Sequence, residues 1–198
     1  MLLKSALAVA ALGGVFVAGA SLAQQQPAQN PLDVIPEKMP FDIPSGTPIT
    51  LDRAQAAIAA VVAESKKRDW RMNIAVVGPS GRLVAFARMD GAQRASINIA
   101  EHKARTAALY RRETKVFENA VQQGNLHYIL TLDDVIASRG GIPLVEGGKL
   151  IGGIGCSGGT GSQDEAVCKV APRRSSRAIC MNRERPRNAA FFIQERRG

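Results

Sequence analysis

Residues Gly140 to Val170 read GGIPLVEGGKLIGGIGCSGGTGSQDEAVCKV, and this stretch decides the fold. Ile142 to Glu146 is a short apolar run bounded by glycines, as a buried strand requires. Gly147-Gly148 supplies the positive φ angles of a two-residue hairpin turn, so Lys149 to Gly155 pairs back as the partner strand. The run Ser157-Gly158-Gly159-Thr160-Gly161-Ser162 then lets the backbone turn sharply and approach another group closely. Ser162 is placed to cap a following helix, with Asp164 and Glu165 in its first turn, where negative charge is favourable. A hairpin feeding a glycine loop and a helix is a ligand-facing arrangement that names no ligand by itself.

Upstream of it the periodicity alternates between helix and hairpin. Thr50 caps a helix whose Leu51, Ala54, Ile58, Val61 and Val62 share one face, and which ends near Arg68-Asp69. Asn73 to Val77 reads as a buried strand, Pro79-Ser80-Gly81 as a turn and Arg82 to Met89 as its partner strand. A second helix from Ser96 to about Arg111 carries a seam of small residues, Ala100, Ala104, Ala107 and Ala108, suited to close packing. Glu101 and Arg105 stand at i and i+4 on it, in the favourable order. Thr114 begins a shorter helix through Gln123, and Asn125 to Arg139 is a looser connection. This order of elements predicts an antiparallel sheet with helices packed against it, an α+β single domain.

The two ends differ from this middle. Lys4, the apolar run Ala6 to Ala20 and the Ser21-Leu22-Ala23 cleavage pattern make residues 1–23 a signal peptide. The apolar run is too short for a membrane span, so no stable membrane anchor is expected after cleavage, and the mature chain should be periplasmic or secreted. Residues 24–48 hold six of the chain's ten prolines and form a Pro-rich linker, with few side chains able to build a core. Residues 49–170 are the folded domain. Residues 171–198 form a basic tail with eight arginines and two glutamates. It is either a disordered extension or the product of a shifted reading frame after Val170.

Six of the nine net positive charges lie in that tail, so the folded part is nearly balanced. A nucleic-acid surface would spread basic residues over a groove with aromatics between them, and this chain does not. Cys156, Cys168 and Cys180 lack the C-x-x-C spacing of a metal site or the C-x-x-C-H of covalent haem. A Cys156–Cys168 bridge is open to them in an oxidising compartment and leaves one thiol over. The simpler reading is small buried side chains.

Three segments in order, Arg82 to Ala92 (RLVAFARMDGA), Lys103 to Ala107 (KARTA) and Gly140 to Glu165, resemble the GlcG/HbpS-like family of haem-binding proteins. That family includes the C-terminal domain of PduO-type proteins, and the resemblance covers about Thr50 to Val170. It implies a profilin-like α/β fold, homo-oligomers and, in several members, b-type haem or a related tetrapyrrole. The chain departs from the family at Cys156, where a small aliphatic residue is usual, and at Cys168, where alanine is expected.

Non-covalent haem needs an apolar slot, partners for two propionates and an axial donor. His102, Thr106 and Tyr110 fall at i, i+4 and i+8 along the second helix, which makes His102 the candidate axial and metal ligand. The plain alternative is a half-exposed helix histidine with no ligand. Lys103, Arg105 and, earlier in sequence, Arg88 and Arg94 are candidate propionate partners, and the resemblance points to Thr106 as a haem contact. His127 beside Tyr128 is a weaker donor candidate. Backbone N–H groups from Ser157 to Gly161, those of Ser157, Gly158 and Gly159 foremost, together with the helix N-terminus can hold a carboxylate or phosphate, or the glycines serve only as a sharp turn. No Ser-His-Asp order, HExxH or paired carboxylates argue for catalysis, so catalytic residues are unassigned. The leading expectation is an exported protein that binds haem b for storage, sensing or scavenging. The alternative is an enzyme of the same fold acting on a small organic acid or aromatic metabolite.

Overall fold

A computed structural model describes residues 37–39 and 41–171. The signal peptide, most of the Pro-rich linker and the basic tail after Ala171, with Cys180, lie outside the described residues. The chain divides into two units, Met1–Lys38 and Met39–Gly198, and the fold is that of the second.

Its order is α1 (Leu51–Lys67), β1 (Asn73–Val77), β2 (Leu83–Arg88), α2 (Ser96–Leu109), α3 (Lys115–Gln122), β3 (Gly141–Glu146), β4 (Lys149–Ser157) and α4 (Gly161–Cys168). The four strands form one antiparallel sheet in the order β2-β1-β4-β3. The domain is therefore α+β, as the alternation of periods predicts. Gly147 and Gly148 both take positive φ, 55° and 75°, and close the β3–β4 hairpin as the sequence requires. The loose connection contains one short 3-10 helix, His127–Thr131.

Alternation along β1 divides the core into two layers. Ile74 and Val76 join α1, α4, Ile154 and Cys156 in the larger cluster. Ala75 and Val77 face the other way, against Ala100, Ala104 and Ala108 of α2. The small residues of α2 meet equally small positions on β4. A Cβ on Gly155 would lie 2.1 Å from the Ala100 carbonyl oxygen, and one on Gly153 would lie 2.5 Å from that of Ala104. Helix backbone thus rests directly on strand backbone, which is why the seam is alanine rather than leucine.

Two local expectations need correction. The cap of α4 is Thr160, not Ser162. Its hydroxyl accepts from the Gln163 N–H while the Gln163 side chain accepts from the Thr160 N–H, a complete capping box. Cys156 and Cys168, both fully buried, are joined as a disulfide that ties β4 to α4. The Cα–Cα distance of 5.6 Å is the ordinary span of such a bond. Reading these two as unlinked buried thiols missed that the last turn of α4 lies against the end of β4.

Candidate functional site

The glycine loop and α2 meet at a buried ion pair. Lys103 Nζ lies 2.7 Å from Asp164 Oδ2, and it also donates to the Cys156 carbonyl at 3.3 Å. The other carboxylate oxygen of Asp164 accepts from the N–H groups of Gly158 and Gly159, at 3.1 and 3.0 Å. Burial pushes the Asp164 carboxyl above its usual range, and Lys103 with the two amides pulls against that shift.

This geometry changes the reading of the loop. Gly158 and Gly159 do hold a carboxylate, and it is the protein's own. The Thr160 amide is likewise taken by Gln163. The loop therefore presents none of these three donors to a substrate acid. Ser157 is buried at the end of β4, where its carbonyl accepts from the Asn73 side chain at 3.5 Å. Lys103 is not a surface cation but the internal counter-charge of Asp164. Asp164 itself serves more than the helix terminus.

The stripe on α2 also divides. Thr106 is fully buried: its hydroxyl donates to the Asp134 carbonyl at 2.6 Å and accepts from the Ile136 N–H at 3.1 Å. Tyr110 is half-buried and donates to the Asp133 carbonyl at 2.7 Å. The segment around residues 133–136 therefore covers the Thr106 side of the helix. Arg105 is exposed and pairs with Asp134 at 3.2 Å rather than with Glu101, its expected partner one turn earlier. The accessible face of α2 runs His102, Arg105, Leu109, at i, i+3 and i+7, with His102 half-buried and the other two exposed.

Arg88 is brought to neither group. It stands exposed at the end of β2 and lines a pocket with Val62 and Lys66 of α1. Arg94 is exposed in the turn before α2. His127 opens the 3-10 helix, where the neighbouring Tyr128 is half exposed. Among the described residues no three His, Cys, Asp or Glu side chains group as a metal cluster. None of the described helices is long and apolar enough to cross a membrane. Of the apolar slot, propionate partners and axial donor that haem needs, the accessible face of α2 offers candidates for the donor and for one propionate partner: the His102 imidazole and the Arg105 guanidinium, the latter already paired with Asp134.

The sequence reading missed the Lys103–Asp164 pair and a second ionic network that seats α4. In that network Arg139 donates to Glu118 through its backbone N–H at 2.6 Å and its side chain at 2.8 Å. Glu165 binds both Lys115 and Lys169. The Glu165–Lys169 pair is an i,i+4 spacing, but Arg139–Glu118, Lys115–Glu165 and Lys103–Asp164 span 21, 50 and 61 residues, and no local spacing rule reaches that far.

Comparison with known proteins agrees with the fold. The chain is 43% identical to Protein GlcG of Escherichia coli K12 over 104 residues, which span 52% of this chain and 77% of GlcG. An uncharacterized 15.0 kDa protein from the dhaT-dhaS intergenic region of Citrobacter freundii is 35% identical over 126 residues, 62% of this chain and 89% of its own length. Among solved structures, the Klebsiella pneumoniae protein ORFY matches with a TM-score of 0.61 at 28% identity, covering 70% of this chain and 94% of ORFY. The PduOC:heme complex matches with a TM-score of 0.58 at 26% identity, covering 63% and 93%. HbpS matches with a TM-score of 0.57 at 27% identity, covering 68% and 94%. The family model described as haem degrading protein HbpS-like matches residues 49–172, more than half of the sequence, and the chain belongs to that HbpS-like family.

Proposed function

We propose that this chain is an exported haem-binding protein that holds b-type haem non-covalently for storage, sensing or scavenging. The observation that carries this reading is His102 beside Arg105 on the accessible face of α2, in a member of the HbpS-like family whose structural neighbours include a haem complex. Imidazole is a common axial donor, and a guanidinium suits a propionate. Export draws support from the Cys156–Cys168 bond, because disulfides persist in oxidising compartments. The exposed apolar side chains Tyr128, Leu130 and Leu132 on and beside the 3-10 helix suit burial in a homo-oligomer.

Haemin titration of the purified chain tests the reading. A saturable shift of the Soret band is expected, and His102→Ala should change the position of that band. Absence of a saturable shift overturns haem binding, and an unchanged band in His102→Ala overturns the ligand assignment alone. Light scattering coupled to gel filtration reads the oligomer, and a monomer overturns that part.

A further inference from the structure

A concave site lies on the other side of the sheet from α2. The end of α1, the Asp69–Arg71 connection and the end of β2 with its following turn border a half-open pocket of about 360 Å³. Val62, Trp70, Ala87 and Met89 line it, all half-buried and packed on the main core. This floor is held in place. Met89 exchanges backbone and thioether contacts with Met72, at 3.0 and 3.5 Å. The Arg68 guanidinium sits 5.1 Å from the Trp70 ring centroid and is itself tied to Glu64 at 2.8 Å.

The rim is charged and incompletely neutralised. Arg71 and Asp69 pair with each other at 3.4 Å. Lys66, Arg88 and Asp90 enter no ion pair among the described residues, which leaves two cations against one acid over an apolar floor. A fixed apolar surface with a few convergent charges is how small-molecule sites are built, and this volume lies at the small end of their range of roughly 300–1,000 Å³. A single substituted ring fits with room to spare, since a cavity of about 150 Å³ already holds benzene; a tetrapyrrole does not enter whole.

From this we infer that the pocket binds a small apolar monocarboxylate of the single-ring aromatic type. Its ring lies against Trp70 and Met89, and its carboxylate meets Arg88 and Lys66. The charge balance of the unpaired rim groups selects an anion over a cation of the same shape. The site is separate from the α2 face assigned to haem, and neither reading depends on the other.

Trp70 is the chain's one tryptophan, so its emission and its indole N–H resonance report on this pocket alone. Benzoate added to the full chain should change both saturably and less strongly at high salt. Benzylamine and benzyl alcohol should bind at least about tenfold more weakly, since they lose the charge-assisted contacts. The exposed double variant Arg88→Gln/Lys66→Gln should weaken benzoate by about tenfold or more while its melting curve stays put. No saturable change overturns the proposal. So does equal binding of benzylamine, or undiminished benzoate binding in the double variant. Haemin titration in the presence of saturating benzoate should be unaltered, and displacement of one by the other overturns the separation of the two sites.

Discussion

Lys103 Nζ and Asp164 Oδ2 are 2.7 Å apart, with side chains only 1% and 3% exposed, and they join the middle of α2 to the first turns of α4. Removing one partner strands the other charge in the core. Lys103→Met should therefore destabilise the domain by about 3–5 kcal/mol, read by urea unfolding. Replacing both with apolar residues of similar volume should recover part of that loss, because two uncompensated desolvation costs disappear together. A double variant no better than the single one would argue against the pair as the origin of the cost.

The pH response of α4 follows from Glu165. Burial pushes its carboxyl up, but the hydrogen bonds and charges of Lys169 and Lys115 outweigh burial and hold it below the usual carboxylate range. A depressed carboxyl contributes stability above its unfolded value, about 4.3, and loses it as pH falls through the folded value. Lys169 is raised, by its hydrogen bond to Glu165 first, so its contribution is complete below about 10.4 and is lost as pH rises through the folded value. Stability measured from pH 3 to 7 should rise less steeply in Glu165→Gln than in the parent chain. Parallel curves would remove this carboxylate from the account.

The disulfide closes a short loop of sequence separation 12. Chain-entropy arguments give about 3 kcal/mol for a loop of that size. Cys156→Ala/Cys168→Ala should unfold at correspondingly lower denaturant. Both sulfurs are fully buried, so reductant should act on the native protein slowly and only through opening. Rapid reduction of the folded chain would contradict the burial.

Close approach of α2 to β4 makes Gly155 intolerant. A Cβ there meets the Ala100 carbonyl oxygen at 2.1 Å and the Ala104 amide nitrogen at 2.5 Å, both rigid backbone. Gly155→Ala should cost about 3 kcal/mol or more in thermal or chemical unfolding. Gly147→Asn, at a hairpin turn with open space around it, should be nearly neutral.

Thr106 holds the 133–136 segment against α2 through one donated and one accepted bond. Thr106→Val should leave the Asp134 carbonyl and the Ile136 N–H without that partner and cost about 1–3 kcal/mol. Limited proteolysis within residues 125–139 should quicken accordingly. If haemin affinity also changes, the effect passes through this segment, because the threonine side chain is not itself accessible.

Much of the architecture was legible in the residues. Ile74 and Val76 alternate with Ala75 and Val77, the Ala100–Ala104–Ala108 seam marks a close helix, and Gly147-Gly148 fixes the hairpin register. All are local periods or dihedral demands. The site was less legible. Lys103 looked like a surface cation because a spacing rule places it beside His102 and cannot see Asp164, 61 residues later. The two cysteines looked unlinked because their pairing depends on how far α4 turns back. Thr106 looked accessible because its cover comes from a segment with no period of its own. Trp70 had a visible signal, a lone tryptophan between charges, but its pocket needs the end of β2 to complete it.

Asp164 gives the glycine loop a permanent guest. A tethered carboxylate, already oriented and shielded from water, competes at an effective concentration that no dissolved acid matches. The loop's selectivity for anions is thereby spent inside the fold, where it sets the pose of α4 instead of sampling the solvent. A signature that looks like a receptor in the sequence thus behaves in the molecule as a latch.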